Sequence, residues 1–76
     1  MKTQRITLPI YDLSCGGGGT LMVERALART PGVVHVYVNA ATEMAYVAFD
    51  PVLTDPTRLT QAVEHAGFHT GTPALR

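Results

Sequence analysis

The first residues of the chain alternate between polar and apolar side chains, a pattern typical of a strand with one buried face. The apolar members of this alternation are Ile6, Leu8 and Ile10. Pro9 has no amide proton to donate to a neighbouring strand, and it falls on the face opposite these residues. We therefore predict a strand within residues 3–10, with its apolar face turned towards the core.

The spacing of apolar residues becomes helical after four consecutive glycines. A Thr-Pro-Gly sequence at positions 30–32 ends this pattern, because proline and glycine both interrupt helices. We predict a helix that begins in or just after the glycines. Its apolar side is predicted to contain Leu21, Val23, Leu27 and Ala28.

Two runs rich in β-branched residues follow, joined by a few small residues, and this pattern predicts a β-hairpin. Side chains alternate along a strand, so one face of the hairpin should pack against the helices while the other faces away. We expect six residues to face the helices, namely Val34, Val36, Val38, Ala45, Val47 and Phe49. We expect Tyr37 to lie opposite Met44 and His35 opposite Tyr46, with all four side chains on the outer face.

A second helix is predicted from its start and stop signals. Asp55 is suited to the N-cap, Pro56 to the first helical position and Gly67 to the left-handed residue that ends the helix. A short final strand is predicted from Phe68. The predicted apolar face of this helix comprises Leu59, Ala62, Val63 and Ala66.

The predicted order of elements is strand, helix, strand, strand, helix, strand. Two such halves form the split βαβ arrangement, an α+β ferredoxin-like fold in which a four-stranded antiparallel sheet carries both helices on one face. Gly71 and Pro73 weaken the last strand. We expect residues 1–76 to form a single domain.

Composition narrows the possible functions. Six acidic and six basic residues give no formal net charge, and the basic residues are scattered, which argues against nucleic acid or an anionic membrane as a partner. The one cysteine cannot form a disulfide within the chain. No apolar run has the length of a signal peptide or a membrane span, so we expect a cytoplasmic protein that does not insert into membranes.

Two segments, PGVVHVYVNAATEMAYVAFDP and LTQAVEHAGF, carry a resemblance to a known family. Together with VERAL in the first helix, they resemble the heavy-metal-associated domain of copper chaperones and metal-pumping P-type ATPases. The resemblance covers nearly the whole chain and implies the same ferredoxin-like fold, without enzymatic activity. It also implies binding of Cu(I), or of Zn(II), Cd(II) or Hg(II), and a partner that is a metal-transporting P-type ATPase or another heavy-metal-associated domain.

The metal-binding motif is where this sequence departs from the family, which binds metal through Cys-x-x-Cys before the first helix. Cys15 takes the place of the first cysteine. Counting from the first strand places the second cysteine at Gly18, whereas counting back from Val23 places it at Gly19, so the loop holds an extra residue. Soft Cu(I) prefers two or more thiolates, and one chain supplies only one. The glycines that replace the rest of the motif are Gly16, Gly17, Gly18 and Gly19.

Four residues are candidates for ligands or reactive groups. Cys15 precedes a helix start, where unpaired amide protons favour the thiolate, and its position at the family's ligand site favours function over a buried structural thiol. His69 could add a nitrogen ligand, although strand alternation favours an outward side chain. His35 is equally consistent with cross-strand packing or with a contact surface, and His65 is expected to be solvated.

Three hypotheses follow. The first is a metallochaperone-like domain in which Cys15 binds Cu(I), bridging the ion to a partner or to a second copy in a metal-linked homodimer. The second is a docking or regulatory module of the same fold that holds no metal. The third is a thiol redox sensor, for which Cys15 lacks a nearby resolving cysteine.

Overall fold

Within residues 3–11 and 19–75, which the computed structural model describes, the chain forms five strands and two helices. The first strand and helix are β1 (Gln4–Tyr11) and α1 (Gly19–Ala28), and the hairpin comprises β2 (Val33–Asn39) and β3 (Met44–Phe49). The second helix is α2 (Pro56–His65), followed by β4 (His69–Thr70) and β5 (Ala74–Leu75). Neither described helix could cross a membrane, since each has ten residues and a span takes about 20.

The strands form one antiparallel sheet in the order β2-β3-β1-β4, and β5 also pairs with β1. The predicted α+β ferredoxin-like class is therefore confirmed, with one difference at the last strand. β4 and β5 both lie along the same edge of β1, which shows that the single predicted strand is split in two. The split falls at Gly71 and Pro73, as their weak strand preference leads one to expect.

One hydrophobic core joins the sheet to both helices, which therefore lie on the same face. The alternation predicted for β1 is confirmed, because its three inward residues are fully buried. The core residues from the sheet are Ile6, Leu8, Ile10, Val38, Ala45, Val47 and Phe49. Those from the helices are Val23, Leu27, Leu59 and Val63.

The ends of α2 match the sequence signals. Asp55 is the N-cap, and its Oδ1 accepts a hydrogen bond from the backbone N–H of Arg58 at 2.8 Å. Pro56 occupies the first helical position, where a backbone N–H would have no partner within the helix, so the lack of one in proline costs no hydrogen bond. Gly67 has a φ of 99°, the left-handed conformation that ends a helix and favours glycine.

The apolar side of α1 was predicted only in part. Val23 and Leu27 are buried as expected, but Leu21 is 50% exposed and Ala28 is exposed as well. The reason is helical geometry: each residue turns the helix by about 100°, so Leu21 lies about 200° from Val23. The prediction that Leu21 and Ala28 face the core was wrong.

The register of the hairpin also differs from the expectation. Tyr37 pairs with Tyr46, His35 with Ala48 and Asn39 with Met44, so the predicted partners of Tyr37 and His35 were wrong by two residues. The turn occupies residues 40–43 and is longer than the predicted register requires. A shift of two residues by itself changes the partners of the side chains but not their faces, because the side-chain period of a strand is two.

A β-bulge changes the beginning of β2. Val33 pairs with Phe49 and His35 with Ala48, so Val34 is the extra residue. Val33 therefore packs against the core in the place predicted for Val34, which is 60% exposed. The expectation that Val34 faces the helices was wrong because alternation cannot reveal an inserted residue.

Candidate metal centre

The candidate site lies in the connection between β1 and α1. Cys15 and Gly16, Gly17 and Gly18 fall outside the described residues, so their roles stay predictions. The structure does place both ends of the connection: β1 ends at Tyr11 and α1 begins at Gly19. Cys15 is therefore four residues in sequence from a strand end and four from a helix start.

Gly19 is a helical residue, although the sequence grouped it with the glycine loop. It is the first residue of α1 and is buried. The later of the two positions where the family's second cysteine could be placed is therefore helical. A side chain introduced at Gly19 would belong to the first turn of α1, beside the connection that carries Cys15.

Backbone hydrogen bonds hold the end of β1 on both sides. The N–H of Ile10 donates to the carbonyl oxygen of Glu43 at 2.9 Å, which ties β1 to the hairpin turn. On the other side, the N–H of Gly71 donates to the carbonyl oxygen of Pro9 at 3.0 Å. Sequence reasoning missed the contributions of Glu43 and Gly71, because a backbone group leaves no side-chain signal. The connection therefore starts from a point that two neighbouring segments fix.

His69 lies beside this strand end, on the outer face of the sheet. It pairs with Tyr11 in the ladder between β1 and β4, and both residues are exposed. Tyr11 follows Ile10, whose side chain is in the core, so Tyr11 and His69 share the face turned away from the helices. This placement agrees with the outward orientation expected from strand alternation. Its role as a ligand stays a prediction.

The other two histidines are exposed. His35 lies on the outer face opposite Ala48, next to the stacked pair Tyr37 and Tyr46, whose ring centroids are 5.9 Å apart with planes inclined by 21°. His65 ends α2 and lines a shallow groove between the two helices. Among residues 3–11 and 19–75, no three His, Cys, Asp or Glu side chains are grouped so as to hold a metal ion.

The order of the strands and the position of both helices on one face define a class, the ferredoxin-like α+β domains. Within that class, the family model described as the heavy-metal-associated domain matches residues 12–69. The chain therefore belongs to the heavy-metal-associated domain family. The matched range includes the connection that carries Cys15.

Individual relatives come from two kinds of metal transport protein. The probable copper-transporting ATPase PacS of a Synechocystis species is 41% identical over 66 residues, which are 87% of this chain and 9% of the ATPase. The mercuric transport protein periplasmic component of Serratia marcescens is 35% identical over 66 residues, 87% of this chain and 71% of that protein. The crystal structure of oxidized MerP from Ralstonia metallidurans CH34 has a TM-score of 0.87 at 29% identity, covering 99% of each chain.

Proposed function

We propose that this chain is a metallochaperone-like domain that binds Cu(I) through Cys15 and shares the ion with a second thiolate donor. The observation that carries the proposal is the position of the chain's only cysteine, in the connection from β1 to α1 within the range matched by the family. Relatives named for copper transport support copper as the cargo. Hg(II), Zn(II) and Cd(II) are also soft or borderline ions that thiolates bind, and a relative named for mercuric transport supports Hg(II) among them.

The helix start that follows Cys15 in the sequence is a reason to propose a reactive thiolate there. The first N–H groups of a helix have no partner within the helix, and the helix dipole places partial positive charge at its start. Cys15 precedes the first residue of α1 by four positions. A deprotonated sulfur is the form that binds Cu(I), so this neighbourhood supports metal uptake.

One thiolate leaves Cu(I) under-coordinated, which is why we propose sharing. The second donor is either Cys15 of another copy or a Cys-x-x-Cys pair on a partner, namely another heavy-metal-associated domain or one in a metal-transporting P-type ATPase. Such sharing is a transfer of cargo with no catalytic step, so we propose no enzymatic activity. We propose that the domain is cytoplasmic. One relative is a periplasmic component, so cell fractionation should distinguish the two compartments.

The test is a Cu(I) titration of the reduced chain against a competing chelator, with molecular mass measured in parallel. In dilute solution, we expect one ion per two chains and a mass that doubles from 8.2 kDa when Cu(I) is added. The Cys15→Ser variant should lose both effects while keeping the fold. His69→Ala is the matched control and should retain them.

Two results would contradict the shared site. Tight binding of one ion by a monomer would mean that the chain supplies its own second ligand, and loss of that binding in His69→Ala would identify it. Equal binding by Cys15→Ser would remove Cys15 from the site. In that case the docking or regulatory module, with no metal at Cys15, would become the better description.

A further inference from the structure

The two edges of the sheet differ in how they are protected from pairing with another strand. One edge is formed by β4 and β5, which have two residues each and are separated by a segment containing Pro73. Short strands and proline are common means of preventing edge-to-edge association. The other edge is formed by β2, which has seven residues, and no strand of the described chain pairs with its outer side.

β2 carries few of the features that block such pairing. Its sequence, VVHVYVN, contains no lysine, acidic residue or proline. The bulge at Val34 disturbs only its first part, so His35 to Asn39 remain in regular register with β3. Two of its apolar or aromatic residues are largely exposed, Val34 at 60% and Tyr37 at 53%. A long, uncharged edge strand of this kind is a template for a further strand.

We infer that β2 pairs with β2 of a second copy of this chain, antiparallel about a two-fold axis at Tyr37. The regular part of the strand is symmetric about this residue. Pairing there places Tyr37 opposite the same residue of the second copy, Val36 opposite Val38, and His35 opposite Asn39. Apolar residues then meet on the helix side, and polar ends meet at the limits of the ladder.

The tyrosine pair on the outer face supports this register. Tyr37 already stacks on Tyr46 of the neighbouring strand, with ring centroids 5.9 Å apart. A two-fold axis at Tyr37 would extend the pair to a row of four rings across the combined sheet, and cross-strand aromatic pairs stabilise sheets. The chain has no net charge, so two copies do not repel each other strongly at neutral pH.

This association needs neither metal nor Cys15, so it is tested in the Cys15→Ser variant with a chelator present. Sedimentation equilibrium from micromolar to millimolar concentration should show the average mass rising from 8.2 kDa towards twice that value. Tyr37→Lys would place two lysines against each other at the axis and should keep the chain monomeric throughout. Val52→Lys, at a position that is 88% exposed and outside the sheet, is the matched control and should associate like its parent.

Cross-linking tests the register directly and does not depend on the lysine variant folding well. Paired residues of antiparallel strands have Cα atoms about 4.5–5.5 Å apart, within the range that a disulfide spans. In the Cys15→Ser background, Tyr37→Cys should oxidise to a covalent dimer at least tenfold faster than Val52→Cys. A chain that stays monomeric at millimolar concentration, or equal cross-linking rates for the two cysteine variants, would overturn the inference. Because Cys15 is absent, neither result bears on the proposed metal site.

Discussion

Gly32 lies in the turn between α1 and β2, and the structure predicts that Gly32→Ala is strongly destabilising. Its φ is 97°, a left-handed conformation that residues with a Cβ adopt at a cost. A Cβ at this position would also lie 2.8 Å from the Cβ of Leu53 and 3.1 Å from Cγ2 of Thr54. Both atoms belong to the short loop before α2, so the turn or that loop would have to move.

The expected cost has two parts. The backbone conformation contributes about 1–2 kcal/mol, and forcing a methyl group into occupied space contributes about 1–3 kcal/mol. For a chain of 76 residues the free energy of unfolding is about 4–11 kcal/mol. Gly32→Ala should therefore remove a large fraction of the stability of the domain.

Gly67→Ala separates the two parts. Gly67 has nearly the same φ, 99°, but a Cβ there would meet no atom within 4 Å. This variant should therefore lose only the conformational part. The difference between the two alanine variants isolates the steric part, about 1–3 kcal/mol.

Urea unfolding followed by circular dichroism measures both variants. With a slope near 1 kcal/mol per molar urea, as for small domains, the midpoint of Gly32→Ala should fall about 1–3 M below that of Gly67→Ala. Equal midpoints would refute the reasoning, because they would mean that the contact with Leu53 and Thr54 relaxes without cost. A third variant, Gly71→Ala, has no left-handed φ and meets the movable hydroxyl of Tyr11 at 2.8 Å and Pro9 at 3.1 Å, so it should be milder than Gly32→Ala.

Two further predictions concern the candidate metal centre. Cys15 should react with a thiol reagent in the native chain at a rate comparable to the rate in urea, since in sequence it lies between a strand end and a helix start. Slow labelling that becomes fast in denaturant would instead indicate a buried structural thiol. Gly19→Cys should convert shared Cu(I) binding into tighter, monomeric binding, measured by chelator competition and mass, because it adds a thiol in the first turn of α1. Unchanged stoichiometry in Gly19→Cys would mean that the extra glycine keeps the two sulfurs apart.

The parts of the fold that could be predicted from sequence are those that depend on local signals. The alternation in β1 correctly gave its buried face, because a strand has only two faces and three apolar residues select one. Asp55 and Pro56 correctly gave the start of α2, because each residue satisfies a need that arises only at a helix start. Both cases require no knowledge of the rest of the chain.

The parts that could not be predicted depend on partners distant in sequence or on inserted residues. The hairpin register is set by a four-residue turn in which Glu43 has a φ of 54°, a conformation that glutamate rarely adopts. The bulge at Val34 is defined by its absence of a partner on β3. For the candidate metal centre, Cys15 was predicted from the resemblance to the family. The backbone hydrogen bonds that Glu43 and Gly71 make with the end of β1 could not be predicted, because backbone groups are the same in every residue type except proline.

The two proposed associations use opposite parts of the molecule, so they should combine into larger assemblies. Pro9 and Asn39 both pair with Met44, so they lie at the same height in the sheet. Tyr11 is two residues beyond Pro9, and Asn39 is two residues beyond Tyr37. Tyr11 therefore lies about four residues, or about 13 Å, beyond Tyr37 along the strands. In a dimer paired through β2 about Tyr37, the two β1 ends are therefore about 26 Å apart along the strands, and about 24 Å apart across them. Pairing through β2 thus leaves the two β1 ends, which Cys15 follows in sequence, at opposite ends of the combined sheet. Two different two-fold contacts on one chain generate assemblies larger than the dimer, closed where the two axes intersect and open where they do not. Cu(I) added to the concentrated wild-type chain should accordingly produce masses above the dimer, whereas Tyr37→Lys with Cu(I), and Cys15→Ser with or without it, should stop at the dimer. A wild-type mass that also stops at the dimer would show that the two contacts exclude each other.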